Sequence, residues 1–467
     1  MAALNKARRK TPAPLTDGGG PATRVRITEE QQLRRSVMST LLWEDQFYED
    51  GMSIADRIEQ HAAAVPPEVL AQIAVEARSV HNLRHVPLLL VCALAKHHKG
   101  QGTIVADTVY NVVQRADELS ELLSIYWRNG RTPISNGIKR GLARAFSKFD
   151  AHQLAKYNRD NGVKLRDVMF MVHPKPSEKQ AYLTHSYEVD RLNKGGYKRG
   201  VVTRHAGSAL DKLAYGTLES PDTWEVALSA GGDKRTEFTR LLNENKLGYL
   251  ALLRNLRNMQ ESGVDPRLIH DALRAENTGR HRVLPFRFIA AGRAAPQFTS
   301  ALDGVLLEVK EKMPKLPGHT VVMVDVSGSM NYPLSIKSDL TRMDAACALA
   351  SLINCEKLDV YSFSYEVAHV RNPHGIEGAT RIARSQPNAG TELPDAVRYA
   401  NTLGADRLIV ITDEQSTSWR PVPDPVAPKA YMINVASNRN GVGYGKWTHI
   451  DGFSEGALRW IGEYEKL

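Results

Sequence analysis

Along the first two thirds of this chain apolar residues recur with helical spacing, while in the last third they fall in short β-branched blocks. Between about Thr28 and Ala295, apolar-periodic segments of roughly 10 to 16 residues alternate with links rich in Pro, Gly, Asn or Asp, the pattern of amphipathic helices. The spacing predicts helices over Pro67–Ser79, Val86–Ala95, Val105–Val113, Glu118–Arg128, Asn136–Ser147, Ala151–Tyr157, Val163–Met171, Asp222–Ala230, Thr236–Asn243, Lys246–Met259 and Asp265–Ala275. Pro67 and Glu68 open the first of these as helix N-termini prefer, and His97-His98-Lys99-Gly100 closes the second. Many short helices joined by short links suggest stacked helical pairs of the HEAT or armadillo type, although no strict repeat is visible. Two Gly-containing basic stretches interrupt the rhythm, Asn193–His205 and Asn277–Arg282.

After Pro314 the period changes. His319–Asp325 reads as a buried parallel strand, followed by a helix over Asp339–Asn354, a strand over Leu358–Ser364 and a helix over Leu393–Leu403. Strands over Arg407–Thr412 and Ala430–Val435 and a closing helix over Ser454–Glu465 complete the alternation of a doubly wound α/β domain. The predicted organisation is thus a flexible basic tail over 1–24, a helical domain over 25–296, a connection over 297–317 and an α/β domain over 318–467.

Charge sharpens this division. The 467 residues carry 61 Lys and Arg against 52 Asp and Glu, a net +9, with a pI of about 9.3. From residue 318 onward the count is 14 basic and 17 acidic, which leaves 47 basic and 35 acidic residues before it. All of the positive excess therefore sits in the helical part, where it favours an acidic partner such as nucleic acid. Three cysteines (Cys92, Cys347 and Cys355) give neither metal spacing nor a disulfide framework, and no apolar run approaches the ~20 residues that span a bilayer. A cytoplasmic, reducing location is expected.

The candidate chemistry lies at the ends of the α/β strands. The first strand runs into Asp325-Val-Ser327-Gly-Ser329, a carboxylate and two hydroxyls at alternate positions, which suit a hard cation such as Mg²⁺. Thr391, on a Gly-preceded turn, and Asp413, ending the Arg407–Thr412 strand, supply further oxygens. This set resembles the metal-ion-dependent adhesion site of von Willebrand A domains. The resemblance implies that Ser327, Ser329 and Thr391 coordinate the ion, that Asp325 and Asp413 act partly through water, and that one position stays open for a partner's carboxylate.

A basic helical domain before such a domain resembles the TROVE-module proteins, the Ro autoantigen ribonucleoprotein family, in its shorter bacterial form. The stretches that carry this likeness are Gly137-Ile-Lys-Arg-Gly-Leu-Ala-Arg-Ala145, Lys156-Tyr-Asn-Arg159, Val163-Lys-Leu-Arg-Asp-Val168, His173-Pro-Lys-Pro176, Leu247–Met259 and Leu284-Pro-Phe-Arg-Phe288. The resemblance implies a ring of helical repeats that holds small structured Y RNAs outside and single-stranded 3′ ends of misfolded RNAs in a central hole. It further implies a monomer, and an adaptor role toward an exoribonuclease such as polynucleotide phosphorylase.

Phosphate recognition needs cations spread over a face, and Lys156, Arg159, Lys164, Arg166, His173 and Lys175 can make one. Lys156 and His173 match family positions that touch Y RNA. Arg128, Lys139, Arg140, Arg144, Tyr197, Lys198, Arg199, Arg204 and His205 are candidates to line a single-strand path. Lys139, Arg140 and Arg144 are equally placed for an ordinary solvated helix face. No phosphate loop, HExxH or GxSxG motif is present, so no enzyme is expected. The competing reading is a metal-dependent protein–protein adaptor, which does not require the charge of the helical part.

Overall fold

The computed structural model describes residues 28–39, 51–158, 162–175, 208–276, 279–283, 285–334, 340–414, 420–436, 445–452, 454 and 456–466. The helices of the N-terminal part are α1 (Glu29–Ser39), α2 (Gly51–Ala64), α3 (Pro67–Ser79), α4 (His85–His97), α5 (Gly102–Val112), α6 (Ala116–Tyr126), α7 (Asn136–Phe146), α8 (Ala151–Tyr157) and α9 (Leu165–Val172). They continue with α10 (Ala209–Tyr215), α11 (Trp224–Ser229), α12 (Lys234–Asn243), α13 (Tyr249–Glu261), α14 (Pro266–Arg274), α15 (Phe286–Ala294) and α16 (Thr299–Glu311). The remainder alternates as β1 (Leu316–Asp325), α17 (Arg342–Leu352), β2 (Cys355–Phe363), β3 (Val367–Val370), α18 (Gly375–Ala383), α19 (Leu393–Asn401), β4 (Arg407–Thr412), β5 (Lys429–Asn434), β6 (Thr448–Asp451) and α20 (Gly456–Tyr464). Helical repeats followed by a doubly wound α/β sheet are the fold class that the periodicity predicts.

Two compact units emerge, and their division differs from the expected domains. One holds residues 57–231; the other joins 5–56 to 232–467. Helix α1 packs on α20 and β6 of its own unit, with Arg35 donating to the His449 carbonyl at 2.9 Å. The contact is close: a Cβ on Gly456 would lie 2.2 Å from the Met38 carbonyl oxygen. The stretch 297–317, read as a connection, is mostly α16, with Ala301, Leu302, Val305 and Leu306 buried. Its two apolar turns follow a Pro and a short linker, so periodicity alone gives it no owner.

In the first unit the closest helix pair is α5 on α7. Gly137 and Gly141 stand one helical turn apart, and a Cβ on Gly141 would lie 2.4 Å from the Val109 Cβ and 2.8 Å from the Ala106 carbonyl oxygen. The glycines of the Gly137–Ala145 stretch thus serve backbone packing. Behind this pair Arg78 bonds Glu118 at 2.7 Å, and Glu118 also accepts from the Gln114 and Arg115 amides, so the buried charge is fully engaged.

In the second unit the sheet order is β3-β2-β1-β4-β5-β6, parallel throughout except for β2 against β3. Residues 320–325 of β1 and every residue of β4 are buried, as a sheet covered on both faces demands. One face packs Val321, Met323, Leu408, Val410 and Met432 against Leu393, Val397 and Ala400 of α19. On the other lies α17, all of whose residues are buried, Cys347 included. β3, α18 and β6 escape the sequence reading because two are four-residue strands and the third opens on Gly375 and contains Gly378. The strand order reverses direction between β1 and β4, and ligands in open α/β sheets bind at such a point, beyond the carboxyl ends of the strands.

Candidate metal centre and nucleic-acid interface

Asp325 ends β1 and Asp413 follows β4, so both carboxylates stand at that switch point, each fully buried. Asp325 accepts the Thr412 hydroxyl at 2.6 Å on one oxygen and the Ser327 amide at 2.9 Å on the other. The Ser327 and Ser329 hydroxyl oxygens lie 3.2 Å apart. Thr391, buried, arrives on the loop before α19. That loop is fixed from two sides: Gly328 donates to the Ala389 carbonyl at 2.8 Å, and the Ser364 hydroxyl accepts from the Ala389 amide and donates to the Gly390 carbonyl. A Cβ on Gly390 would come within 2.6 Å of the exposed Tyr365 ring, which would have to shift to admit a larger residue here. The structure therefore brings the Ser327, Thr391 and Asp413 loops to one place.

The electrostatics of this place suit a cation. Burial, with the Asp413 charge adding to it, pushes the Asp325 carboxyl up to about 7. The sequence reading missed the counter-charge: Arg342, from the first turn of α17, is 2% exposed and bonds Asp413 at 2.6 Å. With both carboxylates ionised, as a bound cation would require, one guanidinium leaves one negative charge beside hydroxyls that are weak ligands alone. Among the described residues no group of three His, Cys, Asp or Glu could hold a metal; the oxygens gathered here are hydroxyls and two carboxylates. Glu414, next in sequence, is buried in the left-handed conformation (φ 56°), with His449 Nδ1 3.0 Å from its carboxylate. Such a conformation costs a non-glycine residue roughly 1–3 kcal/mol and clusters at functional sites.

In the first unit Lys156, Lys164, Arg166, His173 and Lys175 are all exposed, on α8, α9 and their flanks. His173 caps α9 with φ 50° and precedes Pro174, where the left-handed region is disfavoured. That backbone projects it past the helix end. Arg159, Tyr197, Lys198, Arg199, Arg204 and His205 lie outside the described residues. Two aromatics the sequence reading left out join the cations: Arg115 stands 4.8 Å and Lys156 5.7 Å from the Tyr157 ring, and Arg166 stands 5.3 Å from Phe170. A third ring, Tyr110, carries Arg144 at 4.9 Å and Lys148 at 4.0 Å. Tyr110 and Phe170 lie at the boundary of apolar helix faces, which is why patterning assigns them to the core.

One assignment is corrected. Arg128, expected to line a strand path, has a side chain only 5% exposed and pairs with Glu59 of α2, which also takes Lys96 and His97. Burial raises the Glu59 carboxyl, but Lys96, Arg128 and His97 together outweigh it and hold it below the ordinary carboxylate range. Arg128 is a structural partner and offers no face to a ligand. Arg144 is half-exposed and pairs with Asp107, Arg140 is exposed near the start of α5, and Lys139 is half-buried.

With this geometry in view, comparison with known proteins shows what the chain is similar to. The TROVE domain model matches residues 215–333, from α10 across α16 and β1 into the Ser327–Ser329 turn. The structure is similar over 94% of this chain, and 100% of the other, to the crystal structure of the Ro (RSR) protein of Deinococcus radiodurans, at a TM-score of 0.61 and 17% identity. Residues 215–333 thus carry a match to the TROVE domain, and the chain has the fold of the Ro protein. It is also 30% identical over 151 residues to mouse telomerase protein component 1, covering 30% of this chain, and 31% identical over 110 residues to the rat protein, covering 23%. The match spans only 6% and 4% of the length of those relatives.

Proposed function

We propose that this protein is an RNA-binding ribonucleoprotein component without catalytic activity of its own, working in the cytoplasm. The observation that carries the reading is the exposed set Lys156, Lys164, Arg166, His173 and Lys175 on α8, α9 and their flanks, interleaved with Tyr157 and Phe170. Spread cations grip phosphates, and rings under guanidinium or ammonium groups offer stacking platforms to bases. On this reading the face holds a small structured RNA of the Y type, and the helical part also takes the single-stranded 3′ ends of misfolded RNAs. The complex then serves RNA quality control or delivers RNA to an exoribonuclease such as polynucleotide phosphorylase. Asp325, Ser327, Ser329, Thr391 and Asp413 would hold Mg²⁺, whose remaining charge would receive an acidic group of a protein partner. The residual negative charge left by Arg342 supports that second, adaptor role beside the first.

The test is sequencing of RNA that co-purifies with the tagged protein from its own host after a high-salt wash. A dominant small structured RNA, lost on replacing Lys156 and His173 together by alanine while the melting temperature holds, is expected. RNA no richer than in a mock purification would sink the reading.

A further inference from the structure

A second cationic site lies in the unit whose sequence is otherwise balanced toward acid. Between the start of α16, β3 and α18 the fold leaves a cavity of about 660 Å³ lined by Thr299, His369, Arg371, Arg381, Arg384 and Ser385 among others. Its apolar lining includes Val370 and Ile376, each 5% exposed. From residue 318 onward acidic residues outnumber basic ones, 17 to 14, yet three arginines converge here and Glu377 is the single acid of the lining.

The three arginines do different work. Arg381 donates to the carbonyls of Arg371 and Asn372 and stands 3.4 Å from Glu377, so it braces the turn that enters α18 and uses up the acid. That turn is held from below as well: Asp303 of α16 accepts the Ile376 amide at 2.5 Å. Arg371 follows β3 and Arg384 follows α18; both are exposed and neither has an acidic partner among the described residues. Two exposed guanidiniums beside a braced turn, with hydroxyls in the lining and no lysine, are donors of the type that suits a phosphate. The volume is in the range of ligand sites and admits about one nucleotide. Val370 and Ile376 carry no side-chain donor or acceptor to read a base edge, while the His369 ring stands against Tyr361, with 5.0 Å between ring centroids, and near Asp359. Charge and an apolar floor without base readout describe a sequence-independent grip on a single strand.

We propose that the Arg371–Arg384 cavity binds a backbone phosphate of a single RNA strand, a second RNA contact on the α/β part of the chain. For its ligand this rests on the RNA-binding reading; its location does not. The experiment uses the full chain freed of RNA and a fluorescent single-stranded 12-mer of uridylate, with anisotropy followed from 50 to 400 mM KCl. Arg371→Ser with Arg384→Ser should weaken binding roughly tenfold at the lowest salt and reduce the slope of log K against log salt by about 0.7, the contribution of one single-strand phosphate contact. Arg371→Lys with Arg384→Lys should keep the slope, and both variants should melt like the parent. Unchanged affinity and slope in the serine variant overturn the proposal while leaving the α8–α9 face intact. A parent protein that binds neither this strand nor a stem-loop overturns both readings. Loss of uridine 5′-monophosphate binding with an unchanged RNA slope identifies a free-nucleotide site and overturns the assignment to a strand.

Discussion

Replacing Glu465 by glutamine tests whether the amino-terminal edge of the sheet is a stability device independent of the candidate metal centre at its carboxyl edge. Arg407, the first residue of β4, has a side chain 0% exposed, and Glu465, just after α20, one only 5% exposed; the two form a two-point pair. Arg407 also donates to the Thr320 hydroxyl at 2.8 Å and the Pro317 carbonyl at 3.0 Å, while Lys429 and the Tyr431 hydroxyl donate to Glu465. In Glu465→Gln the Lys429 side chain, 40% exposed, can turn to water. Arg407 cannot, and its charge stays buried without an anion. Breaking such a pair costs about 3–5 kcal/mol. For a unit of this size that lowers the melting temperature by on the order of 10 °C. Guanidinium and thermal unfolding would measure it, with RNA affinity as the control that should not move. Burial raises the Glu465 carboxyl, but its Arg407, Lys429 and Tyr431 partners outweigh that and hold it below its ordinary 4.5. Its folded-state pKa is depressed, so the pair's contribution is present above about pH 4.5 and is lost as pH falls through the lowered value. The variant should therefore lose less stability than the parent between pH 4.5 and pH 3. Arg407→Met with Glu465→Leu should recover most of the loss, because no charge is left to desolvate. A drop in melting temperature below about 2 °C, or an unaltered acid limb, would refute the reasoning.

Other outcomes follow from the same geometry. Asp325→Ala with Ser327→Ala should abolish the rise in melting temperature produced by Mg²⁺, roughly 2.7 kcal/mol of stabilisation at a hundred times the dissociation constant, and leave RNA affinity unchanged; equal Mg²⁺ stabilisation in variant and parent would remove these residues from the ion. Replacing Lys164, Arg166 and Lys175 by serine should lower the salt slope of stem-loop binding by up to about 2.7, and an unaltered slope would take the α8–α9 face out of the interface. Gly141→Ala forces α5 from α7 and should cost about 1–3 kcal/mol in denaturant unfolding; a neutral result would mean that the helix pair yields. Arg128→Ala should destabilise the first unit by strand-independent loss of the Glu59 pair, visible as a lower melting temperature whether or not RNA is present.

What the sequence by itself determined was whatever short-range pattern encodes. The bounds of Pro67–Ser79, Ala151–Tyr157 and Arg407–Thr412 coincide with helices α3 and α8 and strand β4, because apolar period and local end signals act within a few residues. Asp325, Ser327, Ser329, Thr391 and Asp413 were legible as a group because each sits at the end of an apolar strand or on a Gly-marked turn. The tertiary structure decided what depends on partners distant in sequence. Arg342 reaches Asp413 across 71 positions, and Arg128, expected to line a strand path, reaches Glu59 across 69. Buried ion pairs have no period, so burial of a charge becomes visible only when its counter-charge is placed. The same reason assigns α1 to the α/β unit, gives Gly137 and Gly141 to helix packing, and gathers Arg371 and Arg384 from either side of α18 around one cavity. Patterning says which side of an element faces inward; only the packed fold says against what.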